Sequence, residues 1–282
     1  MHFPNSVAGS VNLMQVMSEY NCKRMVFSSS ATVYGETTAN PIRETEPLSA
    51  TSPYGRSKLM VEDMLRDQCK ADEEWGVAIL RYFNPVGAHP SGLLGEDPKG
   101  IPNNLMPFIT KVATGAQPEL KIFGNDYPTK DGTGVRDYLH VMDLSQGHIA
   151  AIDALSKGLK GAEPFNLGTG VGVSVLGMVE AFGAARGEPI PYSIQDRRPG
   201  DVAECYADAT KAREQLGWEA RCTVEQMCRD VLTWTKQNPD GFGSGTGKVG
   251  ESSIHIKAPA PPLRSYVAGT HRVAANAATV KV

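Results

Sequence analysis

Hydrophobic residues recur along this chain in two alternating patterns, a helical stripe and a short continuous apolar run. Val7, Val11 and Met14 share one face of a predicted helix over residues 5–19, and the apolar run Arg24–Ser28 then predicts a buried strand. The alternation continues and predicts helices at about 54–75, 104–115, 142–157, 173–186 and 223–237, with strands at 77–83 and near 120–123, 164–167 and 190–194. Strands that alternate with helices predict an α/β fold built on a doubly wound parallel sheet.

The composition of the 282 residues narrows the class of protein. A formal net charge of −3 argues against a nucleic-acid partner, and no apolar run reaches the roughly 20 residues of a membrane-spanning helix, so no membrane partner is predicted. The five cysteines form no C-x-x-C pair and their number is odd, so neither a disulfide framework nor a zinc site is predicted. Free thiols suit a reducing compartment, and we expect a cytoplasmic protein without a bound metal.

Residues 243–282 differ from the rest of the chain. They carry five basic residues against one acidic residue, they are rich in Gly, Ala, Pro, Ser and Thr, and their few large apolar residues follow no period. Such a segment cannot bury enough apolar surface to offset its conformational entropy. We therefore predict a disordered basic tail, with a targeting or docking role as the alternative interpretation.

The strongest chemical signal is a Tyr-x-x-x-Lys pair, Tyr54 and Lys58, at the start of the predicted helix 54–75. Residues four positions apart share one helical face, so the ammonium group is expected beside the phenol. A neighbouring positive charge favours the phenolate and lowers the pKa of a tyrosine from its usual value of about 10, which makes it usable as a general base. A chance pair on the surface of a helix is the alternative for this motif alone.

Polar residues also follow two of the predicted strands. Ser30 and Thr32 come after the strand Arg24–Ser28, and Asn84 comes directly after the strand 77–83. Because ligands bind at the carboxyl ends of parallel strands, we expect Ser30 or Thr32 to bond a substrate hydroxyl near the tyrosine. Formation of a turn is the alternative role for these hydroxyl groups.

Five longer stretches extend these motifs, namely VFSSSATVYG, SPYGRSK, LRYFNPVGAHPSGLLGEDPKGIPNNLMPFI, FGNDYPTKDGTGVRDYLHVMDL and RRPGDVAECYAD. On these stretches, residues 5–242 resemble the extended short-chain dehydrogenase/reductase family and, within it, the UDP-glucose 4-epimerases. The resemblance implies a Rossmann-like doubly wound sheet with a smaller α/β substrate domain. It places the remaining part of an NAD-binding domain at residues 1–83, and a UDP-sugar-binding region, interleaved with the last strands of the sheet, at residues 84–242.

The resemblance also implies a reaction, three catalytic residues and a contact with NAD. The expected activity is that of an isomerase of galactose metabolism, which interconverts UDP-glucose and UDP-galactose by transient NAD-dependent oxidation at C4 of the sugar. Tyr54 is then the proton acceptor, and Lys58 bonds the nicotinamide ribose and holds the phenolate. Ser30 bonds the sugar 4-hydroxyl, and Tyr82 contacts NAD. A homodimer packed through helices of the NAD-binding part is implied as well.

The implied contacts with the UDP-sugar are grouped by the part of the ligand that they meet. On the sugar and diphosphate side they are Ala31, Thr32, Asn84, Asn103, Asn104, Leu105 and Cys205; near the uracil they are Lys121, Ile122 and Phe123; on the diphosphate Arg136 and Arg198; and on the uridine ribose Asp201. Forked guanidinium donors suit a diphosphate, and a carboxylate suits a ribose diol. Local ion pairing on a loop is the alternative for Arg136 with its neighbour Asp137 and for Asp201.

Two positions bear on the reaction and on the choice of sugar. Nucleotide-sugar dehydratases carry an Asp-Glu pair, and decarboxylases a Glu, where this chain has Ala31 and Thr32. Elimination of water needs an additional acid and base, so we expect neither reaction. A small Cys205 in the sugar pocket leaves room for an N-acetyl group, and we hypothesise that UDP-GalNAc and UDP-GlcNAc are also substrates. A plain buried thiol is the alternative.

A glycine-rich stretch, Gly168–Gly172, has the spacing G-x-G-x-G and not the G-x-x-G-x-x-G of the family, so we interpret it as a turn before helix 173–186. The family's dinucleotide loop opens the first βα unit, whereas this sequence begins at the helix before the fourth strand. We therefore expect that three βα units, about 90 residues, are missing from the sequence and that Arg24–Ser28 is an edge strand. Two hypotheses stay open: an NAD-dependent epimerase whose N-terminal part is missing here, and a non-catalytic fragment that binds a UDP-sugar or a partner.

Overall fold

The computed structural model describes residues 2–37, 39–198 and 200–243, so residues 244–282 of the predicted tail lie outside the described part of the chain. After a π-helical turn, Phe3–Ala8, the helices are α1 (Gly9–Glu19), α2 (Pro53–Ala71), α3 (Leu105–Ala113), α4 (Val141–Ser156), α5 (Val175–Arg186) and α6 (Val224–Gln237). The strands are β1 (Arg24–Ser30), β2 (Gly76–Tyr82), β3 (Asn84–Val86), β4 (Leu120–Phe123), β5 (Val135–Arg136), β6 (Tyr138–His140), β7 (Gly161–Leu167), β8 (Val173–Ser174), β9 (Tyr192–Gln195) and β10 (Glu204–Cys205). All of the predicted helices and strands are present with shifted ends, whereas β3, β5, β6, β8 and β10 were not predicted.

Strands β1, β2 and β7 form a parallel sheet in the order β1-β2-β7, which confirms the predicted α/β architecture. Phe27 and Val77 face one side of this sheet and pack with residues of α1 and α2. Leu80 and Phe165 face the other side and pack with residues of α4. Both faces are therefore buried, which explains the nearly continuous apolar runs. Within the described residues β1 is an outer strand, as predicted for Arg24–Ser28.

A second core lies under the remaining strands. Ile109 of α3, Ile122 of β4, Phe182 of α5 and Cys228 of α6 are all fully buried in it. Around this core β4 pairs with β9 and β3 with β6, while β5 lies between β10 and β8. No helix in the described part of the chain is long and apolar enough to cross a membrane.

Helix α2 begins where the sequence provides a cap. The Ser52 hydroxyl accepts a hydrogen bond from the Gly55 N–H at 3.1 Å, and Pro53 occupies the first helical turn. Both features favour a helix start at this point. Tyr54 and Lys58 therefore lie in the first two turns of α2 and share one of its faces.

A buried ion pair joins the same face of α2 to the sheet. Glu62 and Arg81 are 0% and 1% exposed, and two guanidinium N–H groups donate to the carboxylate at 2.6 and 3.0 Å. The Ser29 hydroxyl of β1 also donates to Glu62, at 2.5 Å. Burial by itself raises the pKa of the Glu62 carboxyl, but Arg81 and Ser29 outweigh burial, and the pKa lies below its ordinary value.

Loss of one partner of this pair is expected to destabilise the fold, because the other charge then stays buried and unpaired. Glu62→Leu should lower the free energy of unfolding by about 3–5 kcal/mol, measured by chemical denaturation. Glu180→Leu, an exposed glutamate on α5, is the matched control and should change it by less than about 0.5 kcal/mol. Equal effects of the two substitutions would contradict this account of the pair.

The stabilising effect of Glu62 should also depend on pH. Its pKa is lower in the folded chain than in the unfolded one, so its contribution is complete above the unfolded value and is lost as the pH falls through the folded value. We expect the stability difference between wild type and Glu62→Gln to be constant from about pH 6 to about pH 8 and to shrink below about pH 4. Denaturation curves at several pH values measure this, and a difference that grows in acid would contradict it.

Candidate active site

The three predicted catalytic residues and the predicted NAD contact Tyr82 lie at the carboxyl ends of β1 and β2 and on the facing turns of α2. Ser30 ends β1 and caps the one-turn helix Ala31–Tyr34, where its hydroxyl accepts from the Thr32 N–H at 3.2 Å. The Tyr54 phenol lies close enough to this hydroxyl for Ser30 to act on its pKa. Tyr82 ends β2 and is close enough to Tyr54 for the two phenols to interact electrostatically. The structure therefore brings Ser30, Tyr54 and Tyr82 together.

Lys58 lies on the same side but is anchored to the backbone of β1. Its ammonium group donates to the Ser28 carbonyl at 2.7 Å and lies 5.6 Å from the centre of the Tyr54 ring. Burial lowers the pKa of Lys58. Burial also raises the pKa of Tyr54, and the repulsion from Tyr82 adds to this, while the Ser30 hydroxyl acts in the opposite direction. The expected lowering of the tyrosine pKa is therefore absent in this geometry, because burial outweighs the effect of this hydroxyl and the ammonium group is held on a carbonyl.

Ten of the predicted substrate-binding residues line one cavity of about 260 Å³. It lies between the end of β3, the start of α3 and the strands β4 and β5. The ten are Asn84, Asn103, Asn104, Leu105, Lys121, Ile122, Phe123, Arg136, Arg198 and Asp201. Asn84 follows Tyr82 by two residues, so the chain runs directly from the catalytic strand end into the cavity wall.

Strand β4 presents an unpaired backbone edge at this cavity. The N–H groups of Leu120 and Gly124 donate to carbonyls next to and within β9, at 2.9 and 2.8 Å. Backbone groups of alternate residues point in opposite directions along a parallel strand. The N–H and C=O groups of Lys121 and Phe123 therefore point away from β9, and β4 has no second neighbouring strand among the described residues.

The two cavity arginines have different surroundings. Arg136 donates from Nη1 to the carbonyls of Val135 and Val202, at 2.8 and 2.9 Å. Arg198 donates from Nε to the Asp201 carboxylate at 2.9 Å. The local pairing considered for Asp201 is therefore present, but it occurs within the cavity wall. Asp137, in contrast, makes no ion pair with Arg136 among the described residues.

Three predicted residues lie away from the lining of this cavity. Ala31 and Cys205 are partly buried against the apolar cluster that contains Val33 and Phe83, and Thr32 is exposed at the turn after β1. Burial raises the pKa of the Cys205 thiol above its ordinary value. The substrate contacts assigned to these three residues stay predictions.

The cavity also contains residues that the sequence did not single out. Tyr138 lies two positions after Arg136 on the next strand, so strand alternation was a signal that could have found it. No comparable pattern marks the others, because they come together only through the packing of α3, the segments before and after β4, and the start of α5. They are Phe108, Gln117, Tyr127 and Val175.

The glycine-rich stretch 168–172 is a turn whose amides are taken by a carboxylate of the protein itself. Thr169 and Gly170 donate their N–H groups to buried Asp137 at 2.8 and 3.0 Å, and the Ala207 N–H donates to it at 3.1 Å. Amides that already hold a carboxylate are not open to a phosphate group. The loop leads into β8 and α5, which agrees with its interpretation as a turn.

Comparison with protein families adds one match to these observations. A family model described as GDP-mannose 4,6 dehydratase matches residues 2–231. This match covers nearly the whole described part of the chain, including the ends of β1 and β2 and the cavity.

Individual relatives are more specific. The UDP-glucose 4-epimerase of Bacillus subtilis is 55% identical over 243 residues, which are 86% of this chain and 71% of that protein. UDP-glucose 4-epimerase 2 of Arabidopsis thaliana is 53% identical over 246 residues, which are 87% of this chain and 70% of that protein. A crystal structure of the Bifidobacterium longum UDP-glucose 4-epimerase in complex with NAD+ and UDP has a TM-score of 0.81 at 53% identity, over 85% of this chain and 71% of that one. The chain therefore belongs to the UDP-glucose 4-epimerase family, whose members are isomerases.

Proposed function

We propose that this chain binds a UDP-sugar and interconverts UDP-glucose and UDP-galactose by NAD-dependent oxidation and reduction at C4. One observation carries the proposal. A cavity with an open strand edge and two arginines continues through Asn84 to the strand ends that hold Ser30 and Tyr54. Solved relatives contain matching ligands: NAD+ and UDP in the Bifidobacterium longum enzyme, and NAD with formylated UDP-arabinopyranose in the Stenotrophomonas maltophila enzyme.

The open edge of β4 suits uracil. The C=O of Lys121 is an acceptor and the N–H of Phe123, next along the same edge, is a donor. Uracil offers the complement, an N3–H donor beside a carbonyl acceptor. Cytosine has no hydrogen on N3, so two acceptors would then face each other and one of them would lose its partner.

Other groups of the cavity suit the diphosphate. Nη2 and Nε of Arg136 and the remaining N–H groups of Arg198 have no protein acceptor among the described residues. Helix α3 begins at the cavity, and its capping residue Asn104 makes no side-chain bond to the first turn. Guanidinium groups and an open helix N-terminus both favour a phosphate anion.

The strand-end residues suit the sugar and the cofactor. The Lys58 ammonium group donates one N–H to the Ser28 carbonyl, and its other two N–H groups have no partner in the described part of the chain. Two free donors at this position suit the hydroxyl groups of a ribose. Lys58, Tyr54 and Tyr82 would hold NAD, which when bound supplies hydride acceptance and return at C4. As a phenolate, the form that the positive charge of bound NAD⁺ would favour, Tyr54 Oη takes the proton of the 4-hydroxyl and gives it back, while Ser30 holds the same hydroxyl in place.

Two alternatives are weighed against this function. Dehydration, the reaction in the name of the matching family model, lacks an acid–base pair because Ala31 and Thr32 stand at the expected positions. Binding of a UDP-sugar without turnover is the second candidate, because the cavity that we assign to UDP is lined by described residues of this chain. A cytoplasmic location and the use of N-acetylated UDP-sugars stay predictions.

A homodimer is also proposed, through the helices that cover the sheet. Leu13 and Val16 of α1 are 48% and 50% exposed, and Met60 of α2 is 41% exposed. Apolar side chains clustered on neighbouring helices are typical of an interface between copies.

The first test measures conversion of UDP-galactose to UDP-glucose by the purified chain with added NAD. Turnover would support the epimerase hypothesis, and Tyr54→Phe should then lower kcat by about 10²–10⁴-fold, because it removes the proton acceptor and keeps the ring. Affinity for UDP, measured by calorimetry, should be unchanged in this variant. UDP binding without any turnover in wild type would instead favour the non-catalytic alternative.

The second test separates the two neighbouring arginines. Arg198→Leu should weaken UDP binding by about ten- to a hundredfold, because it removes a charged donor from the cavity. Arg197→Leu is the matched control: Arg197 pairs with Asp126 at 2.6 Å and is not part of the cavity lining, so affinity should change by less than about threefold. Equal losses in the two variants would contradict the assignment of Arg198.

A further inference from the structure

Gln117 is a residue of the cavity wall to which the proposed function assigns no role. It lies between the end of α3 and the start of β4, directly before the strand whose edge faces the cavity. Its backbone N–H donates to the Lys111 carbonyl at 3.1 Å, so the main chain is fixed at this position. The side chain is half-buried and shares the cavity wall with Phe108 and Leu120.

The amide group of Gln117 is held in one orientation. Nε2 donates one hydrogen to the Glu119 carbonyl at 2.8 Å. The Glu119 carboxylate is itself occupied, because it accepts from the Ser193 hydroxyl at 2.7 Å. The second Nε2 hydrogen and the Oε1 atom have no protein partner among the described residues. A half-buried amide that is fixed on one side and open on the other is a prepared hydrogen-bonding group.

The order of groups along β4 indicates which ligand atom this amide meets. Uracil has three polar groups in a row: a carbonyl, N3–H and a second carbonyl. With N3–H on the Lys121 carbonyl and one uracil carbonyl on the Phe123 N–H, the second uracil carbonyl lies toward the start of the strand. The open donors on that side are the Lys121 N–H and, beyond it, the free Nε2 hydrogen of Gln117, the cavity residue that precedes β4. A carbonyl oxygen has two lone pairs, so it can accept from both.

We propose that Gln117 is a specificity-determining residue that donates a hydrogen bond from Nε2 to the second carbonyl of the uracil base. This inference rests on the proposed binding of a UDP-sugar in the cavity. It adds a side chain to the recognition of the base, which otherwise uses only the backbone of β4. A base that presents an amino group in place of this carbonyl would oppose a donor with a donor, so the fixed orientation of the amide contributes to selection of uracil.

The test measures binding of UDP, 2-thio-UDP and 4-thio-UDP to the 282-residue protein by calorimetry. Sulfur is a weaker acceptor than oxygen, so each thio analogue should bind wild type less tightly than UDP. Gln117→Met keeps the length of the side chain and removes the amide. It should bind UDP about five- to tenfold less tightly, and the penalty for one of the two thio analogues should disappear.

Gln117→Leu is the second variant, in case the methionine side chain repacks, and Gln146→Leu on the exposed surface of α4 is the matched control. Unchanged UDP affinity in the folded Gln117 variants would overturn the proposal. A loss of affinity with both thio penalties intact would also overturn it, because Gln117 would then act on the fold and not on a base carbonyl. Failure of wild type to bind UDP at all would be a failure of the proposed function, which is a different result.

Discussion

Two opposite charges that are both withdrawn from water hold the catalytic helix on the sheet. Glu62 lies one turn beyond Lys58 and two turns beyond Tyr54 on the same face of α2, and Arg81 lies on β2 one residue before Tyr82. Neither charge has access to water, and Glu62 is the carboxylate partner of Arg81 among the described residues, so the buried guanidinium is tolerated only with Glu62 in place, while Glu62 also pairs with Arg66 at the surface side of α2. The rotation of α2 and the position of β2 are thereby fixed together, and so are the two tyrosines at the strand ends.

The same arginine extends this constraint to the segments around the site. Arg81 donates to the Tyr34 hydroxyl at 3.0 Å, and Tyr34 donates to Asn166 at 2.7 Å. Asn166 in turn donates to the Ile42 carbonyl at 2.9 Å. A buried polar network of this kind is stable only when every member is satisfied, which ties the turn after β1 and the end of β7 to one arrangement. Protein groups alone therefore hold the strand ends in this arrangement.

Much of the fold could be predicted from the sequence because its signals are local. Helices such as α2 and α6 have a capping residue and an apolar stripe, and β1 and β2 are runs of apolar residues between turns. The two- and three-residue strands β3, β5, β6, β8 and β10 have no such signal, because they exist only through pairing with distant partners. The spacing of glycines 168, 170 and 172 was enough to interpret them as a turn, but not to predict the contact of this turn with Asp137, which is remote in sequence.

For the site, the sequence alone determined which residue types are present and which of them share a helix or a strand end, because these properties depend on neighbours in the chain. It therefore identified Tyr54, Lys58, Ser30 and most of the cavity residues through motifs and resemblance. Only the tertiary structure decided how these groups act on one another. Lys58 is held on the Ser28 carbonyl, and the pKa of Tyr54 is raised. Both outcomes depend on burial and on the packing of distant segments, which no local pattern records.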